Sequence, residues 1–159
     1  MMIMAIGRDS AKLTVANAER ERAYAAIAVW AGSALDGKGL IAANEIGAVG
    51  FFAPPGVAIL DMYGLLRKPD EISTPYVDLV RRERPEVIVT RENFNYRRGL
   101  EAGMEGAYEW RKFRSVDVGI RADLVPRLGA RFGAVRRIYE DLDLGREYHA
   151  ARVRPATGA

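Results

Sequence analysis

Between Asn17 and Leu35 apolar positions return every three or four residues. Tyr24, Ile27, Ala28, Ala31 and Leu35 form one stripe behind a charged opening, Glu19-Arg20-Glu21-Arg22. That spacing predicts a helix, with Asn17 as its N-cap and Gly37 or Gly39 as its stop. Trp30 falls off the stripe and is expected against a second surface. Three short apolar runs then follow at intervals: Gly39 to Ala43, Val57 to Leu60 and Glu86 to Thr90. Each reads as a buried strand. The 13 residues from Asn44 to Gly56 are long enough for a crossover connection. Ile46, Val49, Phe51 and Phe52 give that connection a short helix, ended by Pro54-Pro55-Gly56. Thr74-Pro75 predicts the start of another helix, with Tyr76, Leu79 and Val80 on its buried side and Pro85 beyond its end.

The pattern is less regular after Arg91. Asn93 to Tyr96 reads as a loop, Leu100 to Trp110 as a glycine-weakened helix, and Arg114 to Ile120 as an edge strand with Val116, Val118 and Ile120 on one face. Ala134 to Tyr139 and Tyr148 to Val153 are expected to close the fold as a β-hairpin. Helix and strand alternating in this way imply an α/β domain: a small Rossmann-like open parallel sheet with crossover helices and a C-terminal hairpin. The expected organisation is an N-terminal segment over 1–16, one domain over 17–153 and a tail over 154–159. Apolar Met1 to Gly7 is read either as an unstructured start or as the stub of a transmembrane helix.

Composition narrows the chemistry. The chain has 159 residues, 49% of them hydrophobic, enough for one sizeable core. With no cysteine there is no disulfide or thiolate chemistry, and the single histidine, His149, excludes a multi-histidine metal site. Net charge is +3, with eight basic and two acidic residues between Arg111 and Arg137. No Lys/Arg block or interleaved aromatic platform accompanies them, so a solvated face is favoured over a nucleic-acid or anionic surface. Gly47-Ala48-Val49-Gly50 lies within a predicted helix and is no dinucleotide fingerprint; no phosphate-binding lysine loop or Gly-x-Ser-x-Gly elbow occurs. The residues therefore call for no cofactor and no metal. The longest uncharged run, Ile46 to Leu60, has 15 residues and contains two prolines, against roughly 20 for a membrane span.

In an open parallel sheet, ligands bind beyond the carboxyl ends of the strands. Those ends present Asn44 and Glu45, then Asp61, Tyr63 and Gly64, then Thr90, Arg91 and Asn93. Carboxylate, amide and guanidinium groups together suit sugar hydroxyls or phosphate oxygens. Glu45 and Asp61 are also of the types that serve as an acid/base or divalent-metal pair, but such pairs arise by chance in most domains of this size. The alternative is architectural: Glu45 and Asp61 cap the backbone of the segments that follow them, or Asp61 pairs with Arg91.

The phrase Ala42-Ala43-Asn44-Glu45-Ile46-Gly47-Ala48-Val49-Gly50-Phe51-Phe52, then Leu60-Asp61-Met62-Tyr63-Gly64-Leu65 and Pro69-Asp70, resembles the C-terminal soluble domain of bacterial polyprenyl-phosphate-sugar-dependent membrane glycosyltransferases of the mannosyl- and arabinofuranosyl-transferase type. The alanine-rich helix with Trp30 and the run Arg84 to Val89 fit the same order, so the likeness covers roughly Tyr24 to Thr90. It implies an accessory domain on the extracytoplasmic (periplasmic) side of the inner membrane. Its partners would be the transmembrane portion of the parent enzyme and a glycan or polyprenyl-phosphate sugar. That family keeps its chemistry in membrane segments and an early acidic loop, neither of which this chain contains, so catalysis by the isolated chain is not expected. Asn44, Glu45, Asp61, Tyr63, Gly64, Arg91 and Asn93 would then contact acceptor glycan or brace the membrane part. The competing expectation is a stand-alone, cytoplasmic α/β enzyme, a hydrolase or sugar-phosphate enzyme, using Glu45 and Asp61.

Overall fold

The computed structural model describes residues 3–66, 74–92 and 95–147, with α1 side chains from Val15 onward. In chain order the elements are α1 (Ile3–Ala34), β1 (Gly39–Ala43), α2 (Ile46–Phe52), β2 (Val57–Asp61), α3 (Tyr76–Glu83), β3 (Val87–Arg91), α4 (Tyr96–Gly103), β4 (Tyr108–Phe113), β5 (Val116–Arg121), α5 (Val125–Leu128) and α6 (Ala134–Asp141). Five strands form one open sheet in the order β2-β1-β3-β5-β4. β2, β1 and β3 are mutually parallel, with Ala43 opposite both Asp61 and Val89. β5 runs antiparallel to β3 and to β4. The domain is α/β, with a parallel core extended by an antiparallel hairpin.

Alternation along the strands sorts the helices into two layers. Ile41, Ala43, Val87, Val89, Val116, Val118 and Ile120 share a core with α1, α2, α5 and α6. Ala42 and Ile88 face the other way, against Val80 of α3 and Leu100 of α4. α1 carries most of the first layer: Ala23 to Ala28 and Trp30 to Ala31 are buried in unbroken runs. The indole of Trp30 meets Phe132 edge to face, with centroids 5.1 Å apart, and donates to the Arg131 carbonyl at 3.1 Å. The second surface expected for Trp30 is thus the segment between α5 and α6. Gly32 lets α1 approach the α2–β2 connection, since a Cβ there would stand 2.3 Å from Pro54 Cδ.

Several expectations change. The first helix begins at Ile3, so Asn17 lies within it and caps nothing. α3 starts at Tyr76 with Pro75 in the cap position and no side-chain capping bond. The helix read across Leu100 to Trp110 ends at Gly103, and Trp110 belongs to β4. β5 is an interior strand rather than an edge, which is why Val116 to Ile120 are all buried. The C-terminal hairpin is not formed: Ala134 to Tyr139 is helical. Val135 and Tyr139 are buried and Ile138 and Leu142 pack beside them, a three-and-four spacing that only a helix turns to one side. Its proposed partner arm, Tyr148 to Val153, lies outside the described residues. The sheet's antiparallel hairpin is β4–β5 instead.

Candidate functional site

Because β1, β2 and β3 are parallel, their last residues share one edge. Asn44 sits just past β1 and is buried. Its own N–H donates to the Val89 carbonyl at 3.4 Å, while its Oδ1 accepts the Arg91 N–H at 3.2 Å. The side chain thereby extends the β1–β3 pairing by one residue. Glu45 occupies the N-cap position of α2 but makes no side-chain capping bond. Its carboxylate lies between two guanidiniums, 3.2 Å from Arg20 Nε and 3.8 Å from an Arg91 nitrogen. Arg91 therefore pairs with Glu45, the partner not foreseen for it.

Asp61 ends β2 and is 6% exposed. Its carboxylate accepts three backbone N–H groups, from Tyr63 at 3.0 Å, Gly64 at 2.8 Å and Leu66 at 2.6 Å. This is the architectural alternative: a side chain that shapes the following loop. Gly64 has φ +91°, a conformation other residues rarely take. The loop so fixed turns its side chains outward, with Tyr63 58%, Leu65 68% and Leu66 80% exposed. Asn93 lies outside the described residues.

The edge thus holds two groups rather than one convergent cluster. Asn44, Glu45 and Arg91 come together, joined by Arg20 of α1. Asp61, Tyr63 and Gly64 form the second group, near which lie Tyr76 and Tyr96, stacked edge to face at 4.9 Å. Burial raises the Tyr96 pKa, helped by the neighbouring Tyr63, Tyr76 and Asp61. Among the described residues no three His, Asp or Glu side chains gather to hold a metal ion. Arg20 escaped the sequence reading because it looked like part of a wet first turn, and its partner is 25 positions away.

Two buried hydroxyls, Tyr24 Oη and Thr90 Oγ1, have no hydrogen-bond partner among the described residues. Burial, and then the Glu45 carboxylate, push the Tyr24 pKa well above the ordinary tyrosine range. Burial likewise pushes Tyr108 up to about 12. A phenol whose folded pKa is raised stabilises the fold below its unfolded pKa, and that stability is lost as pH rises through the folded value. The urea midpoint is therefore expected to hold to about pH 10 and fall toward pH 12. Tyr24→Phe, which removes an unpaired buried hydroxyl, should flatten that fall without loss of stability at neutral pH. Denaturation curves across the alkaline range check both statements; a fall unchanged in the variant would remove Tyr24 from the account.

α1 runs against the parallel strands. Arg20 reaches Glu45 at the carboxyl edge, whereas Gly32 faces Pro54 at the opposite edge. The part of α1 before Arg20 therefore leaves the sheet on the carboxyl side, and Ile3 stands about 25 Å further along the helix. Among the described residues no helix is long and apolar enough to cross a membrane. A family model, Domain of unknown function (DUF8728), matches residues 12–139. No curated protein and no solved structure matches the chain.

Proposed function

We propose that this chain, which belongs to the DUF8728 family of domains of unknown function, is an accessory domain of a lipid-linked-sugar membrane glycosyltransferase. In this reading the carboxyl edge of its sheet faces the membrane-embedded part, on the extracytoplasmic side. The observation that carries it is the course of α1, which leaves the sheet at the edge holding Glu45, Asp61 and Arg91. The exposed Tyr63, Leu65 and Leu66 on the same edge supply apolar surface for a neighbouring protein segment. The carboxylates also favour an accessory role over a catalytic one. Asp61 is occupied by three backbone donors and Glu45 by two guanidiniums, so neither stands ready to move a proton. In this reading the exposed Tyr63 and, in the other group, Arg91 are the side chains offered to an acceptor glycan.

The reading frame upstream of Met1 is expected to encode hydrophobic segments of about 20 residues, continuous with α1. A stop codon close upstream, with no such segment before it, would overturn the assignment. Titration of labelled protein with cell-envelope oligosaccharides should shift the amides of Glu45, Tyr63 and Arg91. Turnover of a sugar phosphate by the isolated chain, abolished by Asp61→Asn in a folded variant, would instead establish the small-enzyme alternative.

A further inference from the structure

At the opposite edge of the sheet, a groove of 580 Å³ opens between α3, the α4–β4 connection and the end of β5. That volume lies within the usual range for small-molecule sites. Val80, Met104 and Tyr108 supply apolar walls, and Arg81, Arg84 and Arg121 bring three guanidiniums against one lining carboxylate, Asp123. Two of the three are held in place. Arg81 meets Asp78 and donates to the Gly103 carbonyl at 2.9 Å. Arg121 meets Glu86 at 3.1 Å and Asp123 at 2.8 Å, and donates to the Arg84 carbonyl at 2.7 Å. Among the described residues the guanidinium of Arg84 makes no hydrogen bond or ion pair, though its charge, after the hydrogen bond from Arg121, helps hold the Asp123 carboxyl low. The Tyr108 hydroxyl is engaged with the Pro85 carbonyl at 2.9 Å, leaving its ring as wall.

Arg84 is also one of four described non-glycine residues with positive φ, with Asp36, Asn95 and Arg114. Arg84 is the C-cap of α3 with φ 48° and ψ 54°, the left-handed conformation that glycine ordinarily fills. Arg84 lines the groove with Asp123, whose carboxyl Arg121 and then its own charge hold low, and its guanidinium makes no hydrogen bond there among the described residues, which leaves its donors open to an oxyanion. We infer that this groove binds a phosphate monoester with a compact apolar or aromatic body, its oxyanion taken by Arg84 together with Arg121 and Arg81. Guanidinium forks match phosphate oxygens. Asp123 is an exposed partner of Arg121, so an entering phosphate can share Arg121 without stranding a buried acid. The inference stands apart from the proposed glycosyltransferase role, which concerns the other edge.

The test is an NMR titration of the full chain at low salt with phenyl phosphate, alongside inorganic phosphate, phenol and phosphatidate vesicles. Phenyl phosphate should shift the amides of Arg84, Met104, Tyr108 and Arg121 and saturate with a Kd below about 5 mM. It should bind at least about fivefold more tightly than inorganic phosphate, with phenol silent, because head and body both contribute. Arg84→Gly suits its backbone conformation, so it should melt no lower than the parent while weakening phenyl phosphate about tenfold. Vesicles that compete with phenyl phosphate would identify the ligand as a lipid headgroup; vesicles without effect would identify a soluble phosphate. No saturation, shifts confined to Arg20 and Arg91, or equal affinity in Arg84→Gly would overturn the inference.

Discussion

Trp30→Ala is expected to lower the free energy of unfolding by about 3–5 kcal/mol, the largest loss of any single truncation considered for this fold. The ring is 2% exposed and fills the space between α1 and the segment joining α5 to α6. Its removal has four consequences together. The transfer free energy of a large aromatic side chain is lost, and a cavity opens that the backbone of a long helix closes only in part. The edge-to-face contact with Phe132 goes as well, and so does the hydrogen bond to the Arg131 carbonyl. Trp30→Phe keeps most of the volume and should cost about 1–2 kcal/mol, mainly the hydrogen bond. The second tryptophan, Trp110 in β4, reports unfolding by fluorescence in both variants. A loss under about 1 kcal/mol for Trp30→Ala would mean that the segment between α5 and α6 is not docked on α1 through this ring.

The first half of this fold was legible because its punctuation is local. Runs such as Leu40 to Ala43 and Val87 to Val89 are apolar, short and bounded by glycine, proline or charge, as buried parallel strands are. Asp61 and Gly64 were recognisable as a strand end feeding a turn. The second half depends on context. β4 reads Tyr-Glu-Trp-Arg-Lys-Phe, only half-buried, and its place at the sheet's edge leaves its polar residues in water. Its continuity in sequence with Leu100 made one helix out of two elements. In α6, the exposed pair Arg136-Arg137 interrupts an apolar stripe of Val135, Ile138, Tyr139 and Leu142 and gave it the look of an alternating strand. The candidate edge shows the same division. Which residues reach the carboxyl ends follows from strand positions alone. Which of them pair does not, because Arg20 arrives from a helix whose docking is set by the whole core.

Asp61 gives the sharpest separation of architecture from chemistry. Asp61→Ala is expected to cost about 2–4 kcal/mol, since three backbone donors lose a charged acceptor in one step and water reaches them only in part. Asp61→Asn should cost roughly half as much, because the amide oxygen still accepts while its NH2 faces N–H groups that it cannot satisfy. Amide hydrogen exchange provides a local readout. Protection at Tyr63, Gly64 and Leu66, the donors to this carboxylate, should fall in both variants, most in Asp61→Ala, while protection at Val87 to Val89 falls only with global stability. If the isolated chain binds a glycan through Tyr63, the same variants weaken it by loosening the loop, and the weakening should track the exchange rates. A variant that unfolds at the parent's urea midpoint and keeps its protection at 63–66, yet loses a measurable reaction, would restore Asp61 as a chemical group. The geometry makes the opposite ordering the expected one: stability and loop protection fail first, and any effect on ligand follows from them.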